Sequence, residues 1–429
     1  MNKKLFPILS AFLLLFSLIE KGQATETYRP ETSVAGFIQL PGSGRQVYNF
    51  NPGWRFFKGD IHGAESVDFD DRSWTIVSTP HTVELMPAEA SGCRNYQGPA
   101  WYRKHFVLPA ETKGKRVLIH FEAAMGKQVL YLNGKRIQEH VGGYLPFTLD
   151  LTTNGIQAGD SCLLAIFVDN SNDKSFPPGK PQYTLDFAYH GGIYRDVWMI
   201  AKSPVSITDP LDSQTVAGGG VFVHFDKISE KSAQVYVNTE LQNDNQHTET
   251  VTVETTLTDA DGKVIKRTSG KLSLKSGEKK IIRQQIEVKS PKLWSPDAPY
   301  LYKVQSRIKK GNQSIDGGIT RIGIRLAEFR GKDGFWLNGK PFVQLVGANR
   351  HQDFAYVGNA LPNSQQWRDA KRLRDAGCTI IRVAHYPQDP SFMDACDELG
   401  MFVIVATPGW QYWNKDVKFG ELVHQNTRE

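Results

Sequence analysis

Apolar and polar positions alternate with a period of two along most of the chain, and only the last quarter departs from this. Val117, Ile119 and Phe121 interleave with Leu118, His120 and Glu122. Val235, Val237, Thr239 and Leu241 repeat the pattern, as do Val251, Val253, Thr255 and Leu257. Such a period sends successive side chains to opposite faces of a strand. Asn133-Gly134 and Asn338-Gly339 mark hairpins, because both central residues of that turn need positive φ. Turn residues recur between short strands from Tyr28 to Lys202, which predicts an all-β, jelly-roll-like sandwich over residues 25–203. Ser203-Pro204 reads as a joint. The stretch 204–328 has the length and strand spacing of an immunoglobulin-like sandwich.

After Phe329 the period changes. Phe342 to Val346 reads as a mostly apolar strand. Ser364 to Ala376 reads as a helix with Trp367, Ala370 and Leu373 on one face and Gly377 at its C-terminal cap. Thr379 to Ala384 is a second strand. Asp389 caps a second helix with Pro390 at its first position. Gly400 ends that helix, Met401 to Ala406 forms a third strand, and a third helix begins near Phe419. The β-α-β-α-β order predicts a parallel sheet covered by helices over residues 329–429.

The 429 residues are 40% hydrophobic and 22% charged, which excludes a disordered or fibrous chain and suits two to four domains. The net charge of +6 comes without a dense Lys/Arg run, so no nucleic-acid partner is expected. Lys3 and Lys4 precede an apolar run from Leu5 to Ile19, followed by Gly22-Gln23-Ala24. That run is short for a membrane span and reads as a secretory signal peptide over residues 1–24. A periplasmic or extracellular protein, free of the membrane after cleavage, is the expectation. Four cysteines are too few for a disulfide scaffold, and their pairing stays open.

The three C-terminal strands end in unusual residues. Asn349, Arg350 and His351 follow the first. The second carries Arg382 and ends in His385-Tyr386-Pro387. Trp410, Tyr412 and Trp413 follow the third. Parallel α/β folds bind ligands at these carboxyl ends. Arg382 shares a face with Ile380 and Ala384, which is costly unless a carboxylate meets it, so a partner from elsewhere is expected. His351 and His385 have no recognisable metal spacing, and no Cys/His cluster occurs, so neither a metal nor another cofactor is expected. Asp394, Asp397 and Glu398 read as helix surface charges or core-edge pairs.

Gly347-Ala348-Asn349-Arg350-His351, Ile381-Arg382-Val383-Ala384-His385-Tyr386-Pro387 and Cys396-Asp397-Glu398-Leu399-Gly400 resemble the opening of the catalytic barrel of glycoside hydrolase family 2. Asn51-Pro52-Gly53-Trp54-Arg55-Phe56, Trp101-Tyr102-Arg103 and Gly191-Gly192-Ile193-Tyr194-Arg195-Asp196 resemble its sugar-binding jelly roll. Leu293-Trp294-Ser295-Pro296 resembles its immunoglobulin-like domain. The resemblance implies a jelly roll, an immunoglobulin-like sandwich and the first three β/α units of an eight-stranded TIM barrel. It implies a secreted retaining β-glycosidase of carbohydrate metabolism, most like the β-galactosidases, acting on β-linked oligosaccharides or polysaccharide side chains. Members of the family often form dimers or tetramers.

The resemblance also implies site roles. His351 and His385 contact sugar hydroxyls, with Asn349 beside them, and Arg382 lies beside the nucleophile carboxylate. Asp186 reaches across from the jelly roll, and Trp410 stacks near the sugar. Three departures stand out. Gln352 replaces a frequent Glu. The stretch Val405-Ala406-Thr407-Pro408-Gly409-Trp410 lacks the Asp-Glu seen in many members, so no magnesium site is carried over. A full barrel needs roughly 250 residues, whereas about 100 follow Phe329. The acid/base and nucleophile glutamates, about 5–5.5 Å apart in retaining enzymes, are therefore expected beyond Glu429. This predicts a chain that recognises sugar without hydrolysing it. Two other readings are a non-catalytic secreted carbohydrate-binding protein and a truncated reading frame.

Overall fold

A computed structural model describes residues 31–32, 38–86, 95–213, 215, 219–342, 345–409 and 412–429. The expected signal peptide and Trp410 lie outside the described residues. No helix among the described residues is long and apolar enough to cross a membrane.

Two antiparallel sheets face each other in the N-terminal part. One has six strands, ordered Thr75–Val77, Trp54–Lys58, Pro99–Val107, Ser161–Asp169, Lys127–Leu132 and Lys135–Val141. The other has five, ordered Glu31–Thr32, Gln46–Asn49, Val197–Lys202, Arg116–Phe121 and Phe147–Asp150. Inward positions of both sheets, among them Trp54, Tyr102, Ile119, Phe121, Leu130, Ile166 and Met199, form one core. The strand Val197–Lys202 is buried along its whole length, since Trp198 and Ile200 pack with Val47 on its outer face. Asn133 and Gly134 take the positive φ values, +50° and +82°, that their hairpin demands.

The second sandwich packs a sheet built around Ser232–Asn243 against one built around Glu249–Thr258. It is tied to the jelly roll by Asp316, which is fully buried and accepts two 2.8 Å hydrogen bonds from the Arg45 guanidinium. The free thiols among the described residues are Cys162, Cys378 and Cys396.

The C-terminal part is a three-stranded parallel sheet, Gly347–Arg350, Ile380–Val383 and Phe402–Val405, with α1 (Asn363–Asp375), α2 (Pro390–Leu399) and α3 (Val417–Arg428). The first strand lies later than its apolar run suggests. Residues 343–344 fall outside the described part, and pairing starts at Gly347 opposite Ile380. A Cβ at 347 would sit 1.8 Å from the Ile380 carbonyl oxygen, so only glycine permits this approach. Asp389 caps α2 by accepting the Ser391 N–H at 2.8 Å, and Gly400 closes it with a φ of +78°. On α1 the buried residues are Gln366 and Ala370, whereas Trp367 is exposed, its indole N–H bonded to Glu398 at 3.0 Å. Ala370 and Leu373 pack against the sheet from the expected face, while Trp367 stands outward at its edge and Gln366 turns inward to meet Arg350.

Ile381 and Val383 pack under Ala370, Phe392, Ala395 and Cys396. The opposite face carries Asn349, Arg382 and Ile404 side by side in register. The amino ends of the strands rest on Trp294, Phe335 and Phe342 through Phe402. The carboxyl ends face the jelly roll. Helix α3 also leans on the jelly roll: Asn426 donates to the Val141 carbonyl at 3.1 Å, and Phe419 packs beside Gly179.

Candidate functional site

Tyr386, directly after the second strand, is the hinge pin of the site. It is 1% exposed, and its ring stacks on Tyr144 of the jelly roll at 3.9 Å and 6°. Around this pair the jelly-roll residues Met125, Leu185, Phe187, Tyr189 and Tyr194 close a shared apolar cluster with Ala360. The loop that supplies Phe187 and Tyr189 is held by buried amides. Gln182 accepts the Tyr189 N–H at 2.9 Å and donates to the Asn170 carbonyl at 2.9 Å. Asn95 donates to the Tyr189 carbonyl at 3.0 Å. A loop whose backbone groups are satisfied this way needs little ordering when a ligand arrives.

This loop brings Asp186 to the strand ends. One ligating atom each of Asp186, His351 and His385 lies within 4.8 Å of the other two. The two imidazole rings are 5.4 Å apart, and Phe187 stacks on His351 at 5.0 Å. The Tyr386 hydroxyl lies 3.4 Å from Nδ1 of His351. Asp186 is exposed and both histidines are half-buried, so the cluster opens to solvent. Arg382 and Asn349 stand next to it, with Nη1 of Arg382 3.5 Å from Oδ1 of Asn349. The peptide between Ala384 and His385 is cis.

Burial holds the His351 imidazole below its usual range, with Arg382 adding to the effect and Asp353 and Asp186 opposing it. His385 is lowered in the same way, by burial first and then by Arg382 and His351. Both rings are thus neutral near pH 7, each with a lone pair and an N–H to offer. Burial alone would raise the Asp353 carboxyl, but the His190 ring, 3.8 Å away, keeps it below the usual carboxylate range.

Of the sequence-predicted residues, Asp186, Asn349, His351, Arg382 and His385 gather here, and Trp410 lies outside the described residues. Tyr412 and Trp413 both pack on Phe419 of α3, at ring separations of 5.8 and 6.1 Å. Arg350 turns the other way. It bonds Asp369 at 2.7 Å, Gln366 at 2.8 Å and Gln388 at 2.6 Å, with its guanidinium 4.1 Å above Phe392. Asp394 and Glu398 bind Arg321 of the second sandwich. Gln352 is fully buried and accepts from Arg195 at 3.2 Å, while a second bond from Arg195 reaches the Pro387 carbonyl at 2.8 Å. Arg195, Tyr144 and Phe187 carry no local chemical signature, and sequence reasoning gave them no role at the site. Spacing along the chain does not bring Asp186 to the two histidines; the three side chains come together only in space, with one possible ligand atom of each within 4.8 Å of the others. A larger cavity, about 810 Å³, lies elsewhere, between Thr112, Gln157 and Asp244 at the junction of the two sandwiches. At the His351–His385 cluster itself a small cavity of about 10 Å³ forms between Tyr144, Phe187, Tyr189, His385 and Tyr386.

Three family models match in order. They are the sugar binding domain of glycosyl hydrolases family 2 over residues 64–204, glycosyl hydrolases family 2 over 219–325, and the family's TIM barrel domain over 329–426. A β-galactosidase of Thermoanaerobacter pseudethanolicus is 35% identical, matching 90% of this chain and 49% of its own length. A β-glucuronidase of Formosa agariphila is 33% identical over 85% of this chain and 38% of its own. Among solved structures, Bacteroides uniformis β-glucuronidase 2, covalently bound to cyclophellitol-6-carboxylate aziridine, superposes with a TM-score of 0.79 at 31% identity. That match covers 89% of this chain and 44% of the other. The chain thus spans about half, or less, of the length of the relatives it matches, and its parallel sheet is part of a barrel. Jelly roll, immunoglobulin-like sandwich and barrel strands, in that order and each matched by its own model, place the chain in glycosyl hydrolase family 2.

Proposed function

We propose that residues 1–429 supply the sugar-recognition part of a retaining β-glycosidase, most like the β-galactosidases. The observation that carries this reading is the meeting of Asp186 with His351 and His385 at the strand ends. In this reading these three residues and Asn349 hydrogen-bond sugar hydroxyls, and Trp410 stacks near the ring. Arg382 pairs with the nucleophile carboxylate. A pocket built to bond hydroxyls rejects ligands that lack them, because a missing partner leaves a buried group unpaired. The acid/base and nucleophile glutamates belong outside residues 1–429. This chain alone then binds glycosides without cleaving them. Residues 1–24 act as an export signal, giving a secreted protein.

Titration calorimetry with methyl β-galactoside and methyl β-glucuronide tests the reading. Saturable binding is expected, stronger for the galactoside, and lost in Asp186→Asn and His385→Gln variants that keep their melting temperature. A chromogenic β-galactoside should show no turnover above buffer. A folded chain that binds neither sugar, or hydrolysis that disappears with His385→Gln, would refute it.

A further inference from the structure

We propose that Asp186, His351 and His385 form a coordination site for a divalent d-block cation of the zinc or cobalt type. The inference rests on geometry and donor chemistry and does not require the sugar-binding reading, although it uses the same three side chains. Two imidazole nitrogens and one carboxylate suit such a cation, whereas magnesium and calcium prefer an all-oxygen shell. The donor atoms already lie within 4.8 Å of one another. A tetrahedral ion with bonds of about 2.0–2.1 Å needs its donors roughly 3.3 Å apart. Closing that gap takes a movement of about 1.5 Å. A rotamer change of the exposed Asp186 side chain supplies part of this movement, and small shifts of the two half-buried imidazoles supply the rest.

The His351 ring is already braced. Phe187 stacks on His351 at 5.0 Å, and the Tyr386 hydroxyl stands 3.4 Å from Nδ1 of His351. A partner on a ligand imidazole is the usual outer support of a metal site, and losing it typically costs 10–100-fold in affinity. Three protein donors at a site open to solvent leave positions for water, as in zinc sites with an open position. Arg382 and Lys180 weaken the attraction for a cation, since both bear on His385. Asp353, beside His351, works in the opposite sense. The expected result is a moderate-affinity site, in which metal and sugar exclude each other.

Cobalt(II) titration of the full chain reads this directly, without any catalytic assay. One equivalent should give the visible absorption bands of a four- or five-coordinate site, and zinc should abolish them. Asp186→Asn and His351→Gln should each weaken cobalt binding at least tenfold, with unchanged far-UV circular dichroism. Tyr386→Phe should weaken it by a smaller factor. His247→Gln, which removes the exposed His247–Glu249 pair on the second sandwich, should leave it unchanged. Absence of saturable cobalt binding, or a signal that survives in the Asp186→Asn/His351→Gln double variant, overturns the proposal. Methyl β-galactoside should compete with cobalt. Cobalt binding without competition would sink the sugar reading and leave the metal site standing.

Discussion

Replacing Tyr386 tests how the jelly roll and the barrel strands are joined at the site. Tyr386→Ala deletes a ring that is 1% exposed, stacked at 3.9 Å on Tyr144 and 5.6 Å from Phe187. Truncating a buried aromatic to alanine costs about 3–5 kcal/mol, because the cavity closes only in part. Tyr386→Phe keeps the ring. It gives up a 3.4 Å contact to His351 and a 3.5 Å bond from the Gln352 N–H. Both are long, so the loss should stay below about 1 kcal/mol. Hydrogen exchange read by mass spectrometry over residues 182–194 and 384–389 measures the local opening of this seam. At about 1.4 kcal/mol per factor of ten, the alanine variant should lose protection by roughly two to three orders of magnitude, and the phenylalanine variant by less than one. Pairing Tyr386→Ala with Tyr144→Ala should reveal a coupling of about 0.5–1.5 kcal/mol. Equal exchange in parent and alanine variant would show that the ring pair does not hold the domains together. Equal damage from phenylalanine and alanine would move the credit from the ring to the hydroxyl.

Arg45→Ala strands the fully buried Asp316 carboxylate and should destabilise the junction of the two sandwiches by about 3 kcal/mol, seen in urea unfolding. Adding Asp316→Asn should recover part of that loss. Burial drops the pKa of His81 from 6.5 to about 4, so the folded protein resists a proton that the unfolded chain accepts. Its contribution is present above pH 6.5 and is lost as pH falls through about 4, amounting to roughly 3 kcal/mol at most. His81→Asn should flatten the fall in melting temperature over that range. Glu122 behaves oppositely. Burial, and then Asp389 and Asp196, push its carboxyl well above the usual value, so its contribution is present at acid pH and lost as pH rises above 4.5. Glu122→Gln keeps an acceptor for the Trp198 indole N–H, 3.0 Å away, and should raise the melting temperature at pH 8 while changing little at pH 4.

Local rules explain which parts of this molecule could be read from the chain and which could not. Alternation, Asn-Gly turns, the Asp389 cap and Gly400 each act within a few residues, and each appears where those rules put it. The first barrel strand was misread because the apolar run Phe342–Val346 is a stronger hydrophobic signal than Gly347-Ala348-Asn349-Arg350. The deciding term is the contact of Gly347 with the Ile380 carbonyl, a backbone clearance that no hydrophobicity pattern encodes. Trp367 was misread for a related reason: Gln366 beside it turns inward to bond the buried Arg350, and the large ring stands outward at the edge of the helix face, on Glu398. A polar partner under a helix outweighs apolar bulk on it, because an unpaired buried guanidinium costs more than one exposed indole.

The same reasoning explains the site. Strand-end position is a property of one segment, so His351, Arg382 and His385 could be picked out from their own neighbourhoods. Asp186 could not be, since its loop has no periodicity and its place at the strand ends depends on two buried amides, Asn95 and Gln182, and an aromatic seam drawn from separate parts of the jelly roll. Only a family resemblance pointed to it. Any property that needs Asp186 together with His351 and His385, whether hydroxyl recognition or metal coordination, therefore belongs to the docked pair of domains and to neither alone. Loosening the Tyr144–Tyr386 stack should then abolish both binding activities at once, even though neither tyrosine ring is itself a ligand.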